Sequence, residues 1–353
     1  MKILFLYSEI SSYLLACVQA LHRVYGVEVH LVRWPVNAEA PFRFETYAGI
    51  TFYERASLDT AGLWQVYRQV QPALVYVSGW MDKGYQAVAR RVKRQGVPVV
   101  CGIDNQWRGD LRQRLACWGR VLTIRPYYTH AWVPGLYQYE FARRLGFARE
   151  RIATGMYSAD VAAFQQVWED SQTARAATYP HNLLYTGRLV AQKQVLQLCD
   201  AFLAVRRETG SDWTLTLVGT GPLKDQLPCD PAIRSLDFVQ PDALPGLARS
   251  AGAFVLPSAH EPWGVVLHEF AGAGLPLLCS DACGAATAFL RHGYNGYGFR
   301  WDDLAAMQDA LRQLFGQNDA TLLDMGRRSY ELSKQISPEI WAATLLRIAQ
   351  HPG

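Results

Sequence analysis

The stretch SAHEPWGVVLHEFAGAGLP, residues 258–276, decides the fold prediction. It follows the short apolar run Ala253–Leu256 and contains a Trp-Gly turn and a glycine-rich apolar segment that ends at Pro276. The apolar spacing after Gly264 is typical of a helix, and glycine at that point lets the backbone approach a neighbouring group closely. Strand, turn and helix in succession are the repeating unit of a parallel α/β sheet.

The same alternation extends outward from this stretch in both directions. Apolar runs such as Ile3–Tyr7, Ala73–Val77 and Val99–Gly102 alternate with segments of helical spacing, and a second series begins at Leu183–Thr186. The chain has 353 residues, 50% of them hydrophobic, which is long enough for two domains. We predict an α/β protein with two facing Rossmann-like domains, each a doubly wound parallel sheet, and an interdomain cleft.

The apolar pattern weakens between Arg151 and Gln172, and we place the domain boundary there. The N-terminal domain is expected to span residues 1–167 and the C-terminal domain residues 168–337. A last helix within residues 338–353 is expected to pack back on the N-terminal domain.

The charge distribution and the cysteine content exclude several classes of protein function. Residues 1–170 contain 20 Lys and Arg against 14 Asp and Glu, a surplus that suits an anionic surface but is too small for a nucleic-acid binder. Seven scattered cysteines without a CxxC pair favour a reduced protein, and no apolar run approaches the ~20 residues of a membrane span. We expect a cytoplasmic protein, with peripheral contact at the inner membrane face through the basic N-terminal domain as a secondary expectation.

Two carboxylates, Glu261 and Glu269, lie on either side of the Trp-Gly turn. The first free N–H groups of the helix between them, around Gly264–Leu267, form an anion site. Carboxylates accept hydrogen bonds from vicinal hydroxyls, so a diphosphate at these N–H groups would place a sugar near Glu261 and a ribose near Glu269. The alternative is a surface cap and a surface charge, although an unpaired carboxylate is costly in so apolar a helix.

Two further turns follow predicted strands of the second domain. The first turn begins with Gly187–Leu189. Its Arg188 and the following Lys193 place two cations at a strand end, where they would stabilise a departing diphosphate. The alternative is that both are solvated surface charges. The turn Gly219–Pro222 lacks the third glycine of a dinucleotide fingerprint and predicts only a tight turn.

The first domain offers fewer candidates. Asp104 follows the run Val99–Gly102, and polar groups at the carboxyl end of a parallel strand line ligand clefts; the alternative is a turn cap. His130, at the start of an apolar strand, is interpreted as structural, and Glu9 is ranked equally low as a functional residue.

Residues 107–121 combine arginines with apolar side chains at helical spacing, Leu111, Leu115 and Trp118. We favour a helix whose apolar stripe packs into the core and whose outer face is rich in arginine. The alternative is an amphipathic helix at an anionic lipid surface.

The ordered motifs resemble the retaining glycosyltransferases of family four, the group 1 transferases with the GT-B fold. In that family a strand is followed by GRL and a Lys, then by an LVGxGP turn, then by E-P-(F or W)-G with a second Glu eight residues after the first. Here these are Gly187–Lys193, Leu217–Pro222 and Glu261–Pro276, and Asn295-Gly296 also fits a turn of the family. The first domain departs from the family, whose first loop is glycine-rich where this chain has Ser8–Ser12.

The resemblance implies roles at the matching positions. Arg188 and Lys193 would bind the donor diphosphate, Glu269 the ribose and Glu261 the transferred sugar. With Asp104 on the acceptor side, Arg188, Lys193 and Glu261 form the expected catalytic set. Further donor contacts are expected at Gly219, Val239, Trp263, Gly264 and Val265.

The function implied by the resemblance is retaining transfer of a sugar, of the hexosyltransferase type, from a UDP-, GDP- or ADP-sugar. The acceptor would be a glycan, a lipid-linked sugar or a small molecule, as in polysaccharide biosynthesis. No cofactor and no metal are expected, and the chain contains no Asp-x-Asp pair. The alternatives are a sugar-nucleotide epimerase of the same fold and, ranked last, a two-lobed sugar-binding protein.

Overall fold

The computed structural model describes residues 1–35 and 47–350. The chain forms two compact units, Met1–Asp160 with Ile336–Gly353, and Val161–Gln335. The boundary expected near residue 168 lies inside a helix, Val161–Ala177, and the whole helix packs with the second unit.

The described part of the first unit contains a parallel sheet with strand order β3-β2-β1-β4-β5-β6-β7. The strands are β1 (Lys2–Leu6), β2 (Glu28–Arg33), β3 (Ile50–Glu54), β4 (Leu74–Val77), β5 (Val99–Gly102), β6 (His130–Trp132) and β7 (Ile152–Ala153). The helices are α1 (Ser12–Tyr25), α2 (Thr60–Val70), α3 (Lys83–Arg94), α4 (Leu111–Trp118), α5 (Arg120–Thr123) and α6 (Leu136–Arg144).

Alternate residues of each strand point to opposite faces of this sheet, and both faces are covered. Ile3 and Phe5 pack in the core that includes α1, whereas Leu4 and Leu6 pack in the core that includes α2 and α3. Side chains cap the N-termini of α1 to α4, as Ser11 caps α1. The prediction of parallel α/β units from the apolar runs is confirmed.

The second unit repeats this plan with the strand order β10-β9-β8-β11-β12-β13. Its strands are β8 (Asn182–Thr186), β9 (Thr214–Val218), β10 (Ile233–Leu236), β11 (Ala253–Leu256), β12 (Leu277–Ser280) and β13 (Gly296–Phe299). Its helices are α7 (Val161–Ala177), α8 (Val195–Thr209), α9 (Leu244–Arg249), α10 (Val265–Gly272), α11 (Ala286–Phe289), α12 (Leu304–Phe315) and α13 (Asp319–Ser333). In both sheets the order reverses beside the first strand of the unit, and ligands of such folds bind at this switch point.

The last helix, α14 (Pro338–Gln350), belongs to the first unit and packs on α1. Trp341 is buried there, with its ring centroid 4.8 Å from that of Trp132 and 6.1 Å from that of Phe5. Its indole N–H donates to the carbonyl of Met156 at 2.8 Å. The first unit is therefore built from both ends of the chain.

One expectation of the sequence analysis is wrong. The helix predicted over residues 107–121 is the pair α4 and α5, and its stripe of Leu111, Leu115 and Trp118 is exposed rather than packed in the core. The smaller residues Ala116 and Cys117 pack against the core instead. Of the helices that the structure describes, none combines the length and the apolar character needed to cross a lipid bilayer.

Candidate functional site

The donor-site candidates of the second unit lie in loops at the carboxyl ends of adjacent strands. The loop after β8 carries Arg188 and Lys193, and the loop after β11 carries Glu261. Since β8 and β11 are neighbours and flank the switch point of the sheet, these two loops lie side by side. The turn with Gly219 follows β9, the other neighbour of β8.

Backbone hydrogen bonds join the two glycine turns. The N–H of Gly187 donates to Val218 at 3.0 Å, and that of Leu189 donates to Thr220 at 2.8 Å. At Gly219, where φ is 144°, a Cβ atom would lie only 2.0 Å from the carbonyl oxygen of Gly187. Only glycine allows this approach, which explains the residue type of the turn.

Lys193 and Glu261 form an ion pair across the two loops, with each side chain 15% exposed. Gln192 also joins the loops. Its side-chain amide donates to the backbone carbonyl of His260 at 2.6 Å, and its backbone carbonyl accepts from the N–H of Ala259 at 2.9 Å. Two residues that the sequence analysis treated as separate contacts are therefore one unit. A half-buried pair has less water to compete with than a surface pair, so each charge fixes the position of the other.

The N-terminus of α10 points into the same loops. Gly264, with φ 92° and ψ 65°, is the residue directly before the helix. Among the described residues, no side chain caps the helix there. The preceding residue is fixed, because the carbonyl of Trp263 accepts from the N–H of Ala285 at 2.8 Å and from the Cys283 thiol at 3.0 Å. An uncapped helix N-terminus on a fixed backbone is suited to binding an anion.

Glu269 lies just over one turn into α10 and is half-buried, as are Val265 and Val266, whereas Leu267 and His268 are buried. Residues four apart share a helix face, so Glu269 lies on the face of Val265 at the open helix end. Val239 follows β10 and is half-buried, and Arg188 is exposed at the tip of its turn. The structure thus places all the predicted donor-site residues at one edge of one sheet.

Two features of this site were not foreseen. The indole N–H of Trp263 is buried without a hydrogen-bond partner among the described residues. Gln194, directly after Lys193, has φ 53°, a left-handed conformation that is rare for residues other than glycine. Nothing in the spacing of the motifs predicts either feature.

The first unit has a cavity of about 410 Å³ at the switch point of its own sheet. Loops after β1, β4 and β5 line it with polar groups that include Glu9, Ser78 and Asp104. Aromatic side chains form much of the remaining wall, namely Tyr7, Tyr13, Trp34, Tyr76, Trp80 and Tyr157. The sequence predicts Asp104 at this strand end, whereas the aromatic residues were not predicted, although Tyr7 directly follows β1 and Trp80 lies three residues beyond β4.

Asp104 is held in this cavity by two neighbours. The phenol of Tyr157 donates to one carboxylate oxygen at 3.3 Å, and the amide of Asn105 donates to the other at 3.3 Å. Burial, followed by the neighbouring Tyr7 and Asp104, raises the pKa of Tyr157 well above its usual value. The phenol therefore remains protonated at neutral pH and serves as a hydrogen-bond donor.

His130 lies at the opposite, amino end of its strand. Its two ring nitrogens contact the hydroxyl of Thr129 at 2.9 Å and the guanidinium of Arg151 at 3.1 Å. Burial, assisted by the charge of Arg151, lowers the pKa of His130 to about 4. A neutral ring with both nitrogens in contact fits the structural role that the sequence analysis gave it.

Part of the second unit is similar to a known protein family. Residues 180–317 match the family described as glycosyl transferases group 1. Every predicted donor-site residue named above, from Arg188 to Glu269, lies within this segment. Glycogen synthase of Mycobacterium tuberculosis is 36% identical over 148 residues, which make up 40% of this chain and 35% of that protein. The chain thus spans about a third of the length of the curated relatives it matches.

Solved structures match the chain almost from end to end. HepE of Anabaena, in complex with UDP and glucose, has a TM-score of 0.72 and 15% identity, with 99% of this chain and 100% of that chain covered. Sucrose-phosphate synthase of Thermosynechococcus elongatus has a TM-score of 0.73 and 14% identity, with 99% and 98% covered. At this identity the similarity shows the fold, which is the two-domain GT-B architecture.

Proposed function

Because residues 180–317 match the family described as glycosyl transferases group 1, we propose that the chain is a retaining glycosyltransferase that uses a nucleoside-diphosphate sugar. The observation that carries the proposal is the Lys193–Glu261 pair, which joins two motif loops at the switch point of the second sheet. Lys193, Glu261 and the uncapped N-terminus of α10 lie within one group of loops. The cation and the helix N-terminus suit the donor's diphosphate, and the carboxylate suits its sugar.

The donor diphosphate would lie against the N-terminus of α10, at Gly264 and Val265, with Arg188 and Lys193 neutralising its charge. Glu261 would accept hydrogen bonds from the transferred sugar and Glu269 from the ribose. The turn at Gly219 and the segment at Val239 would complete the pocket. HepE was solved with UDP and with UDP-glucose, so UDP is the first nucleotide to test.

In the transfer step, the bond between the anomeric carbon and the β-phosphate oxygen breaks. The acceptor hydroxyl oxygen then bonds to that carbon on the same face, which retains the configuration. Arg188, Lys193 and the helix N-terminus stabilise the departing diphosphate, and a phosphate oxygen takes the proton of the acceptor hydroxyl. The proposal includes no metal and no cofactor.

The acceptor would bind in the aromatic cavity of the first unit, with Asp104 as its contact. Aromatic faces with carboxylate and phenol groups suit a hydroxyl-rich molecule such as a glycan, a lipid-linked sugar or a small glycoside. We place the enzyme in the cytoplasm, where nucleotide sugars are available, in a step of polysaccharide biosynthesis.

Thermal unfolding with UDP, GDP or ADP, each with and without Mg²⁺, tests the donor site. A ligand at ~100 times its dissociation constant adds about 2.7 kcal/mol of stability, so the matching nucleotide should raise the melting temperature without metal. Incubation of the matching sugar nucleotide with candidate acceptors then tests transfer, with the anomeric configuration of the product read by NMR. Conversion of the donor without any acceptor would contradict transfer and favour an epimerase.

Variants Arg188→Ala and Glu269→Ala test the assigned residues. Each removes a charge-assisted hydrogen bond worth about 1.5–3 kcal/mol, so we expect about 10- to 100-fold weaker nucleotide binding. Arg207→Ala and Glu331→Ala are matched controls, since both residues are exposed on helices of the same unit. Full binding and turnover in the first two variants would overturn the assignment.

A further inference from the structure

An apolar stripe faces solvent along α4 and α5 in the first unit. Leu111, Leu115, Trp118 and Leu122 follow helical spacing on one face and are 76%, 65%, 84% and 77% exposed. Isolated exposed leucines are common on protein surfaces, but four large apolar side chains aligned on one face mark an interaction surface.

The stripe is exposed because the opposite side of the helix holds it to the protein. Ala116 and Cys117 pack against the core. The side chain of Gln113 joins the helix to the preceding loop, since its oxygen accepts from the N–H of Arg108 at 2.7 Å and its amide donates to Gln106 at 2.6 Å. The side chain of Asp110 caps the helix. The helix is thus anchored without using its large apolar residues.

Positive charge flanks the stripe. Residues 105–125 contain five arginines and one acidic residue. At 100° per residue, Arg112 and Arg114 lie on opposite sides of the stripe, and both are exposed, as are Arg108 and Arg125. This helix has leucines and a tryptophan on one face and arginines along both edges of that face. Such a pattern is typical of a helix that lies in the headgroup region of an anionic bilayer.

We propose that the face formed by Leu111, Leu115, Trp118 and Leu122 docks the protein on an anionic lipid surface. A second copy of the chain fits less well, because a symmetric contact would bring the arginines of one copy against those of the other. Each arginine near an anionic leaflet instead adds to the attraction.

The docking face lies close to the aromatic cavity along the chain. Ile103, Asp104 and Asn105 line the cavity, and residues 106–110 lead directly into α4. Binding to the bilayer would therefore bring the cavity to the lipid surface, where a lipid-linked acceptor would be found. Docking itself does not depend on the proposed transfer activity and is tested without donor or acceptor.

Vesicle flotation with the full chain tests the docking. We expect the protein to float with phosphatidylcholine vesicles that contain phosphatidylglycerol, to remain unbound with phosphatidylcholine alone, and to dissociate as salt is raised. The double variant Leu115→Ser/Trp118→Ser should weaken binding at least about tenfold. Arg112→Gln/Arg114→Gln should weaken it by about the same factor.

Leu304→Ser is the control, since Leu304 is an exposed leucine on a helix of the second unit; it should float like the wild type. All substituted residues are exposed, and circular dichroism checks that each variant is folded. Flotation that is independent of lipid charge, or that persists in both double variants, would overturn the proposal. So would the absence of flotation together with a dimer that dissociates in Leu115→Ser/Trp118→Ser, which would assign the face to a second copy.

Discussion

At the scale of single residues, Gly219 shows how backbone geometry fixes residue type. Its backbone lies against the carbonyl of Gly187, and its N–H donates to the carbonyl of Leu236 at 3.0 Å. This one residue holds the turn after β9 against both neighbouring strand ends, which include the turn that presents Arg188. A side chain at this position would separate the turns.

Gly219→Ala should therefore destabilise the second unit by about 2–3 kcal/mol, because the added Cβ contacts backbone that cannot move aside cheaply and φ is unfavourable for alanine. Urea unfolding measures the loss. Gly246→Ala is the control, since a Cβ there meets nothing within 4 Å. Equal stability of the two variants would show that the turn relaxes freely.

The site residues were predictable one by one, but their pairing was not. Glu261, Arg188 and Lys193 are recognisable because each follows a strand within an ordered set of motifs. The Lys193–Glu261 ion pair joins positions 68 apart, and spacing along the chain carries no signal for such a contact. The residue roles stay predictions until the variants are measured.

At the scale of elements, one buried arginine on α7 binds the C-terminal ends of α9 and α10. Arg175, in the last turn of α7, donates to the carbonyl of Gly274 at 3.1 Å beyond α10 and to that of Ala248 at 2.7 Å in α9. A cation at helix C-termini satisfies free carbonyls and interacts favourably with the helix dipoles. Since α10 carries the proposed donor site at its other end, Arg175 also positions that site.

Arg175→Met should reduce the free energy of unfolding by about 3 kcal/mol, because it removes the charged donor from the carbonyls of Gly274 and Ala248. Chemical denaturation measures the change. Arg249→Met is the matched control, since Arg249 on α9 pairs with Asp170 on α7 at the surface and exposed pairs contribute little. A loss in Arg175→Met no larger than in the control would contradict this role.

Most elements follow from apolar periodicity, and the exceptions have physical causes. The strand Val99–Gly102, for example, lies where the pattern predicts it. The strand Ile50–Glu54 was missed because it lies at the sheet edge, where most of its side chains are not buried and the apolar run is weak. Leu111–Trp118 has the periodicity of a core helix, and periodicity alone does not tell which environment an apolar face meets.

At the scale of the whole molecule, the first unit is completed by a helix that follows the second unit in the sequence. Trp341 in α14 packs against Phe5 on β1 and Trp132 on β6, both more than 200 residues earlier in the sequence. Removing a large buried aromatic side chain leaves a cavity and costs about 3–5 kcal/mol.

Trp341→Ala should therefore loosen the first unit selectively. Limited proteolysis read by mass spectrometry should show the earliest new cleavages within residues 1–160 rather than 161–335. Ile340→Ala is the control, because Ile340 is exposed in the same helix. Early cleavage confined to the second unit would contradict the assignment of α14 to the first.

This return of the chain also sets the order of assembly on the ribosome. Residues 1–160 emerge first, yet the unit they form stays without its closing helix until the whole of 161–335 and the tail have been made. At ~5–20 residues per second, that interval lasts roughly ten to forty seconds, during which apolar surface around Phe5 and Trp132 is uncovered. The second unit is continuous in sequence and can fold as soon as it emerges. Of the two units, the one whose synthesis begins earlier is therefore the one that is completed later.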